Sequence, residues 1–333
     1  MRRIWLLGIC VVALPACGTS PQVADREQPP DVSIAPPRPV GFAASLPVER
    51  TEVSGTTWLG RIALAGGLGA DGEPSDRLNL YDPTTDSWTT GPSLPTALHH
   101  AALTVGPKDR IWLIGGYTVA EDGSWRPSAS TWSLGKGDAR WRKETSLSSP
   151  RGALGAAAVD GTIVVAGGTT DRGGNPDNVS RLVEFLSPGQ KTWLRAPDLF
   201  EQREHLAMVA ADGRILAIGG RTGSLDSTLR SVESWGPGEG TWRRESPLKK
   251  ARAGFGVADV AGVPCIAGGE QTDRTISLVE CLRDDGWSVV AQLQEARHGL
   301  AVVGLAGRLH VVAGGRKPGL TVSGVHEVLD VGT

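Results

Sequence analysis

Along this chain the apolar residues fall into short runs, and each run is closed by two glycines. The runs are IALAGG (62–67), IWLIGG (111–116), IVVAGG (163–168), ILAIGG (215–220), CIAGG (265–269) and VVAGG (311–315). Such runs are too short for a core helix and end in residues that tolerate unusual dihedrals, so they predict buried strands. Further along each unit, LNLYDP (78–83), RLVEFLSP (181–188), RSVESWGP (230–237) and SLVECLRD (277–284) alternate apolar with polar residues, as a half-buried strand does. The doublets Gly66-Gly67, Gly115-Gly116, Gly167-Gly168, Gly219-Gly220, Gly268-Gly269 and Gly314-Gly315 stand 49, 52, 52, 49 and 46 residues apart. Six copies of one strand-rich unit therefore account for residues 40–333 as a single repeat domain.

A second spacing strengthens the repeat. Trp88, Trp141, Trp193, Trp242 and Trp287 each precede a leucine by six positions (Leu94, Leu147, Leu199, Leu248 and Leu293). From those leucines, and from Leu46, the next Gly-Gly begins 20 or 21 residues on, so length variation is confined to the stretch between Gly-Gly and the next Trp. Composition agrees: 45 Gly, 22 Pro and 11 Trp against 4 Phe and 2 Tyr describe many short strands joined by turns, with indoles as a recurring core element. A formal net charge of -2 gives no reason to expect a nucleic-acid partner.

These features resemble the Kelch family, whose repeats of about 50 residues carry Gly-Gly, then a Glu or Tyr on the next strand, then a Trp, each repeat forming one four-stranded blade. The match is clearest at Tyr81-Asp82-Pro83 before Trp88, at Glu184 before Trp193 and at Glu233 before Trp242. The resemblance implies an all-β, six-bladed Kelch-type β-propeller. The sixth repeat departs from the pattern, ending after GVHEVLDV (324–331) with no Trp-bearing fourth strand, which would leave an open edge. Counting six back from Leu46 reaches Val40, so VGFAA (40–44) is expected to supply that strand from the N-terminal side and close the last blade.

The first 39 residues read differently. Met1-Arg2-Arg3 and the apolar stretch Ile4 to Leu14 form a signal peptide (1–16), and Leu14-Pro15-Ala16-Cys17 resembles the lipobox of bacterial lipoproteins, which makes Cys17 the lipidation site. The segment 17–39, rich in Pro and polar residues, is expected to be a disordered tether. The expected location is the bacterial cell envelope, on the outer membrane, with contact to the membrane through the lipid alone.

In a propeller the loops after Gly-Gly and the inter-blade connections emerge on the same face, which is where the candidate chemistry lies. Four positions after the repeat leucines stand Arg50, Arg151, Arg203, Arg252 and Arg297, with Leu98 in the second repeat; His99, His205 and His298 follow nearby, and Arg221 and Arg316 come directly after Gly-Gly pairs. These ten residues are the ligand-binding candidates, although an arginine repeated in every blade also suits a structural need repeated in every blade. Cys265 and Cys281 sit equidistant from a hairpin centre, either disulfide-bonded or as two buried thiols. No Cys or His cluster shows metal-ligand spacing, and neither a metal nor a cofactor is expected. Binding of an unknown protein or glycan partner is favoured over catalysis. The enzymatic alternative is a sialic-acid mutarotase (N-acetylneuraminate epimerase), another secreted six-bladed Kelch protein that this chain resembles, with Glu204 or Glu270 as the acid or base.

Overall fold

A computed structural model describes residues 40–171 and 175–332; the expected signal peptide, Cys17 and the expected tether lie outside the described residues. Six four-stranded antiparallel sheets are arranged as the blades of a β-propeller. Blade I consists of Ser54–Trp58, Arg61–Ala65, Leu78–Asp82 and Ser87–Thr90, innermost strand first. Blades II to V repeat that order, beginning at Ala102, Gly155, Ala207 and Gly256. Blade VI takes Ala301–Leu305, Arg308–Val312 and His326–Leu329 from the C-terminal end and its outer strand, Val40–Phe42, from the other.

Each blade is too small to bury its faces alone, and the apolar residues show how the ring solves this. Among the described residues six apolar clusters occur, one at each interface between neighbouring blades; Ile62, Leu64 and Tyr81 of blade I, for example, pack on Ala301, Val303 and Val312 of blade VI. The repeat residues explain themselves as links across those interfaces. The second glycine of each doublet donates its N–H to the carbonyl of the residue in the arginine column of the next blade, from Gly67 to Leu98 (3.0 Å) through Gly269 to Arg297 (2.8 Å), and Gly314 completes the circle on Arg50 (2.9 Å). The first glycine is pressed against the same carbonyl: a Cβ at Gly115, whose φ is +64°, would lie 2.6 Å from the Arg151 oxygen. In blade VI these two roles fall to Ala313 (φ +64°) and Gly314, so the structural doublet is 313–314 rather than the Gly314-Gly315 read from the sequence. Ala313 there is fully buried and takes the left-handed conformation without being a glycine.

The tryptophans staple blades from the outside. Indole N–H groups of Trp141, Trp193 and Trp242 donate to Pro92, Thr145 and Pro197 carbonyls of the preceding blade, at 3.1, 2.9 and 2.8 Å. Trp88 makes the same bond to Ala44 (2.7 Å), which places 40–46 in the role of a preceding blade's outer strand. Backbone pairing agrees, with Val40 opposite Leu329 and Phe42 opposite Glu327. Phe42 is exposed and fills no tryptophan's place; Ala43 and Ala44 pack inward instead. Trp287 is buried without a side-chain hydrogen bond, so the fifth staple is apolar only. Within blade V, Cys265 and Cys281 are direct cross-strand partners, and a disulfide joins them.

The closure carries a pH dependence. His310 and His326 of blade VI are buried, their rings joined at 2.9 Å, and Nδ1 of His326 lies 3.3 Å from the Ala44 carbonyl. Burial, reinforced by mutual repulsion at His326, lowers both pKa values to about 4. The unfolded chain, with histidines titrating near about 6.5, binds more protons than the folded chain between that pH and about 4, so stability is complete above the window and falls as acid is added through it. Thermal unfolding midpoints measured from about pH 7 down to about pH 4.5 should decline, with a shallower slope in His310→Gln; equal slopes would reject the assignment.

Candidate functional site

The loop face of the ring is organised by residues six positions after each repeat leucine: Glu52, His100, Ala153, His205, Gly254 and Gly299. All six have left-handed backbone, with φ of 53°, 51°, 53°, 50°, 60° and 59°. Their peptide groups form a closed circle about the axis, His100 N–H to Glu52, Ala153 to His100, His205 to Ala153, Gly254 to His205, Gly299 to Gly254, and Val53 back to Gly299, at 2.7 to 3.2 Å. Left-handed backbone costs an L-residue about 1–2 kcal/mol and costs glycine little. Two blades use glycine here, whereas blades I, II and IV hold Glu52, His100 and His205 in the strained form and aim them at the axis.

Above this circle lies a cavity of about 600 Å³ lined by Glu52, His100, Trp125, His205, Arg221, Glu270 and His298 among others. Below it a smaller space of about 80 Å³ is again bounded by Glu52, His100 and His205. Trp125 is brought over the upper cavity by a hairpin that pairs Tyr117–Val119 with Trp125–Pro127, an insertion after the second Gly-Gly. Polar contacts hold the walls. Arg221 donates to Glu204 (2.5 Å) and Glu270 (3.2 Å) and lies against His205, 3.3 Å from Nδ1. His205 Nδ1 lies 2.7 Å from Glu204 Oε2. His298 Nε2 donates to the Lys317 and Gly319 carbonyls (2.9 and 3.1 Å), and its Nδ1 is 3.3 Å from Glu52 and 3.5 Å from Glu270.

Charge in this cavity is balanced towards the negative. Burial opposes ionisation of Glu204, but the His205 imidazole and then Arg221 overcome it and bring its pKa to about 2. Burial likewise opposes a proton on His298, yet the hydrogen bond and charge of Glu52, with Glu270 behind them, raise its pKa to about 9. Burial works against Glu52 too, and His100 and His298 outweigh it to keep the carboxyl ionised. His100 is pushed well below the ordinary imidazole value by burial, and burial takes His99 to about 4.

The sequence candidates separate into four groups. His205, His298 and Arg221 line the cavity. His99 is fully buried behind it, stacked among Tyr117 and Trp125, and supports His100 with Nδ1 to Nδ1 at 2.5 Å. Arg316 sits on the surface, paired with Glu295 at 2.8 Å. The five repeated arginines are buried and away from the cavity. Each donates to the carbonyl of the first doublet residue of its own unit, as Arg151 does to Gly167 (2.8 Å) and Arg297 to Ala313 (2.5 Å). The other guanidinium nitrogen meets a third-strand side chain: Asn79 for Arg50, Glu184 for Arg151 (2.5 Å), Glu233 for Arg203 (2.5 Å), Glu280 for Arg252 and Glu327 for Arg297 (2.9 Å). Those glutamates also accept backbone N–H groups of Ser148, Phe200, Lys249 and Gln294, tying strand to inter-blade loop. Both terminal guanidinium nitrogens are thus bonded within the protein, and of the two roles open to these arginines, ligand contact and blade framework, the geometry matches the framework role.

Glu52, His100 and Trp125 were missed as site residues. The first two share one repeat position, and aligning the units on their leucines would have exposed that column; Trp125 lies in an insertion that no repeat pattern marks.

The Kelch motif model matches residues 202–249. The chain is 25% identical over 276 residues to Kelch-like protein terF of Aspergillus terreus, covering 79% of this chain and 60% of that one. It is 26% identical over 160 residues to Kelch-like protein 34 of Homo sapiens, covering 48% of this chain and 24% of that protein. The chain therefore spans less than two thirds of either relative. The solved "Structure of YjhT" superposes with a TM-score of 0.74 at 12% identity, covering 86% of this chain and 96% of that one, a likeness of fold. Repeat spacing and architecture define a six-bladed β-propeller, and the stretch 202–249 matches the Kelch motif.

The framework role of the arginines is directly testable. Glu280→Leu leaves Arg252 buried without its counter-ion and should cost about 3–5 kcal/mol in chemical denaturation, whereas Arg316→Ala on the surface should stay within about 0.5 kcal/mol. Equal small effects would return the arginine column to the list of ligand contacts.

Proposed function

We propose that the chain is a cell-envelope lipoprotein, anchored through Cys17, whose propeller is a binding module and whose loop-face cavity receives the end of a glycan. The observation that carries the reading is the cavity under Trp125. Its volume of about 600 Å³ falls in the range of small-ligand sites. It joins an indole, suited to the apolar face of a sugar ring, with carboxylates and imidazoles suited to hydroxyl groups. The Cys265–Cys281 disulfide supports an oxidising compartment, in keeping with the leader-like N-terminal sequence.

The mutarotase reading has one observation in its favour: His205 on the cavity wall is backed by the buried Glu204 beside Arg221, an acid–base arrangement. Against it, Arg221 is already paired with Glu204 and Glu270, and an acidic sugar would meet Glu52 as well. Saturation-transfer NMR with neutral and amino sugars and their oligomers should show contact that falls at least tenfold in affinity in Trp125→Ala, with the unfolding midpoint unchanged. No transfer from any sugar rejects the glycan reading; faster anomer exchange of N-acetylneuraminate replaces it with the mutarotase.

A further inference from the structure

We propose that Glu52, His100 and His205 form a binding site for one divalent first-row transition-metal ion, of the Zn²⁺ type, at the inner mouth of the channel. One donor atom from each residue lies within 4.8 Å of the other two. Bound Zn²⁺ holds imidazole nitrogen and carboxylate oxygen at about 2.0–2.2 Å, so side-chain shifts of about 1 Å complete the site without moving the backbone. His100 Nε2 and Glu52 Oε2 are already 3.1 Å apart, a separation that also suits two donors on one small ion. The three side chains are recessed, with exposures of 13% for Glu52, 5% for His100 and 10% for His205, and so differ from the scattered carboxylates of a surface.

The stronger argument is what stands behind each donor. Histidines that bind metal are oriented by a partner on the opposite ring nitrogen. His205 has Glu204 on Nδ1 at 2.7 Å, and His100 has His99 on Nδ1 at 2.5 Å, which leaves the Nε2 atoms for the ion. Glu52 is held through its other oxygen by His298 at 3.3 Å. Each donor thus has its own support, and the three come from blades I, II and IV at one symmetry-equivalent backbone position. Local charge is favourable: Glu52, Glu204 and Glu270 outnumber the cationic partners Arg221 and His298, and the 3.5 Å contact of Arg221 with His205 Nε2 is loose enough to be displaced. Two imidazoles with one carboxylate select zinc, iron, cobalt or nickel over magnesium, which prefers all-oxygen shells.

Three protein donors leave at least one coordination position open, and the cavities on either side of the circle of peptides are where it faces. The ion would present an exchangeable position to an oxygen donor entering under Trp125. This site stands independently of the glycan reading, because its test uses metal alone.

The full chain, stripped with a chelator and dialysed, should bind one equivalent of Zn²⁺ at micromolar or tighter affinity by calorimetry. Co²⁺ in its place should give a visible d–d spectrum, and Mg²⁺ should not bind. His100→Ala and His205→Ala should each weaken Zn²⁺ by at least tenfold, and Glu204→Gln, which removes the carboxylate behind His205, should weaken it while keeping the one-to-one stoichiometry. His326→Gln, which alters the other histidine pair, should leave affinity unchanged. Absence of Zn²⁺ binding at micromolar concentration overturns the proposal, as does one-to-one binding that survives both alanine substitutions. Should those variants fail to fold, EPR of the Cu²⁺-loaded native chain decides: coupling to two imidazole nitrogens supports the site, and coupling to none rejects it.

Discussion

A ring of small sheets holds together only if its first and last members meet, and here that meeting rests on the pairing of Val40–Phe42 with His326–Leu329. Most of the remaining framework repeats around the circle. Trp88 bonds to Ala44 as its counterparts bond to the preceding blades, and Gly314 donates to Arg50 as each second glycine donates to the blade that follows. The interface between blades VI and I thereby has the same indole and glycine links as those between blades I and II, II and III, and III and IV. A propeller has no hydrophobic core at its centre; its apolar area is divided among the interfaces, so one open interface deprives two blades of cover at once.

Closure also explains how a nearly symmetric molecule acquires an asymmetric site. The peptide circle at the inner mouth needs left-handed backbone in every blade, which glycine meets most easily. Where Glu52, His100 and His205 stand instead, the surrounding hydrogen bonds hold a conformation those residues would otherwise avoid, and their side chains converge from three blades. The buried arginines do the opposite service. They are alike in five blades because the need is alike: each binds a doublet carbonyl and a third-strand partner, and so makes rigid the loops from which the convergent residues project.

Much of this was legible in the amino-acid sequence because the fold repeats. The Gly-Gly pairs, the Trp-to-Leu spacing and the missing last strand each reflect a contact made once per blade, and a contact made six times leaves a pattern that a single chain displays. The displaced doublet in blade VI escaped notice because Ala313 occupies a glycine's conformation without announcing it. The site was harder to read for a related reason. Arginines that recur attract attention yet serve the framework, while Glu52, His100 and His205 differ in kind and are brought together only by ring geometry. Trp125 belongs to an insertion whose hairpin has no counterpart in the other blades among the described residues.

The account stands or falls on the strand lent from the N-terminal side. Two otherwise identical chains, one starting at Val40 and the other at Pro47, should be compared by calorimetry. The first should unfold as one cooperative transition, and the second, with the outer edge of blade VI bare and Trp88 lacking its Ala44 partner, should unfold several degrees lower or lose cooperativity. Coincident transitions would show that the ring does not depend on that closure.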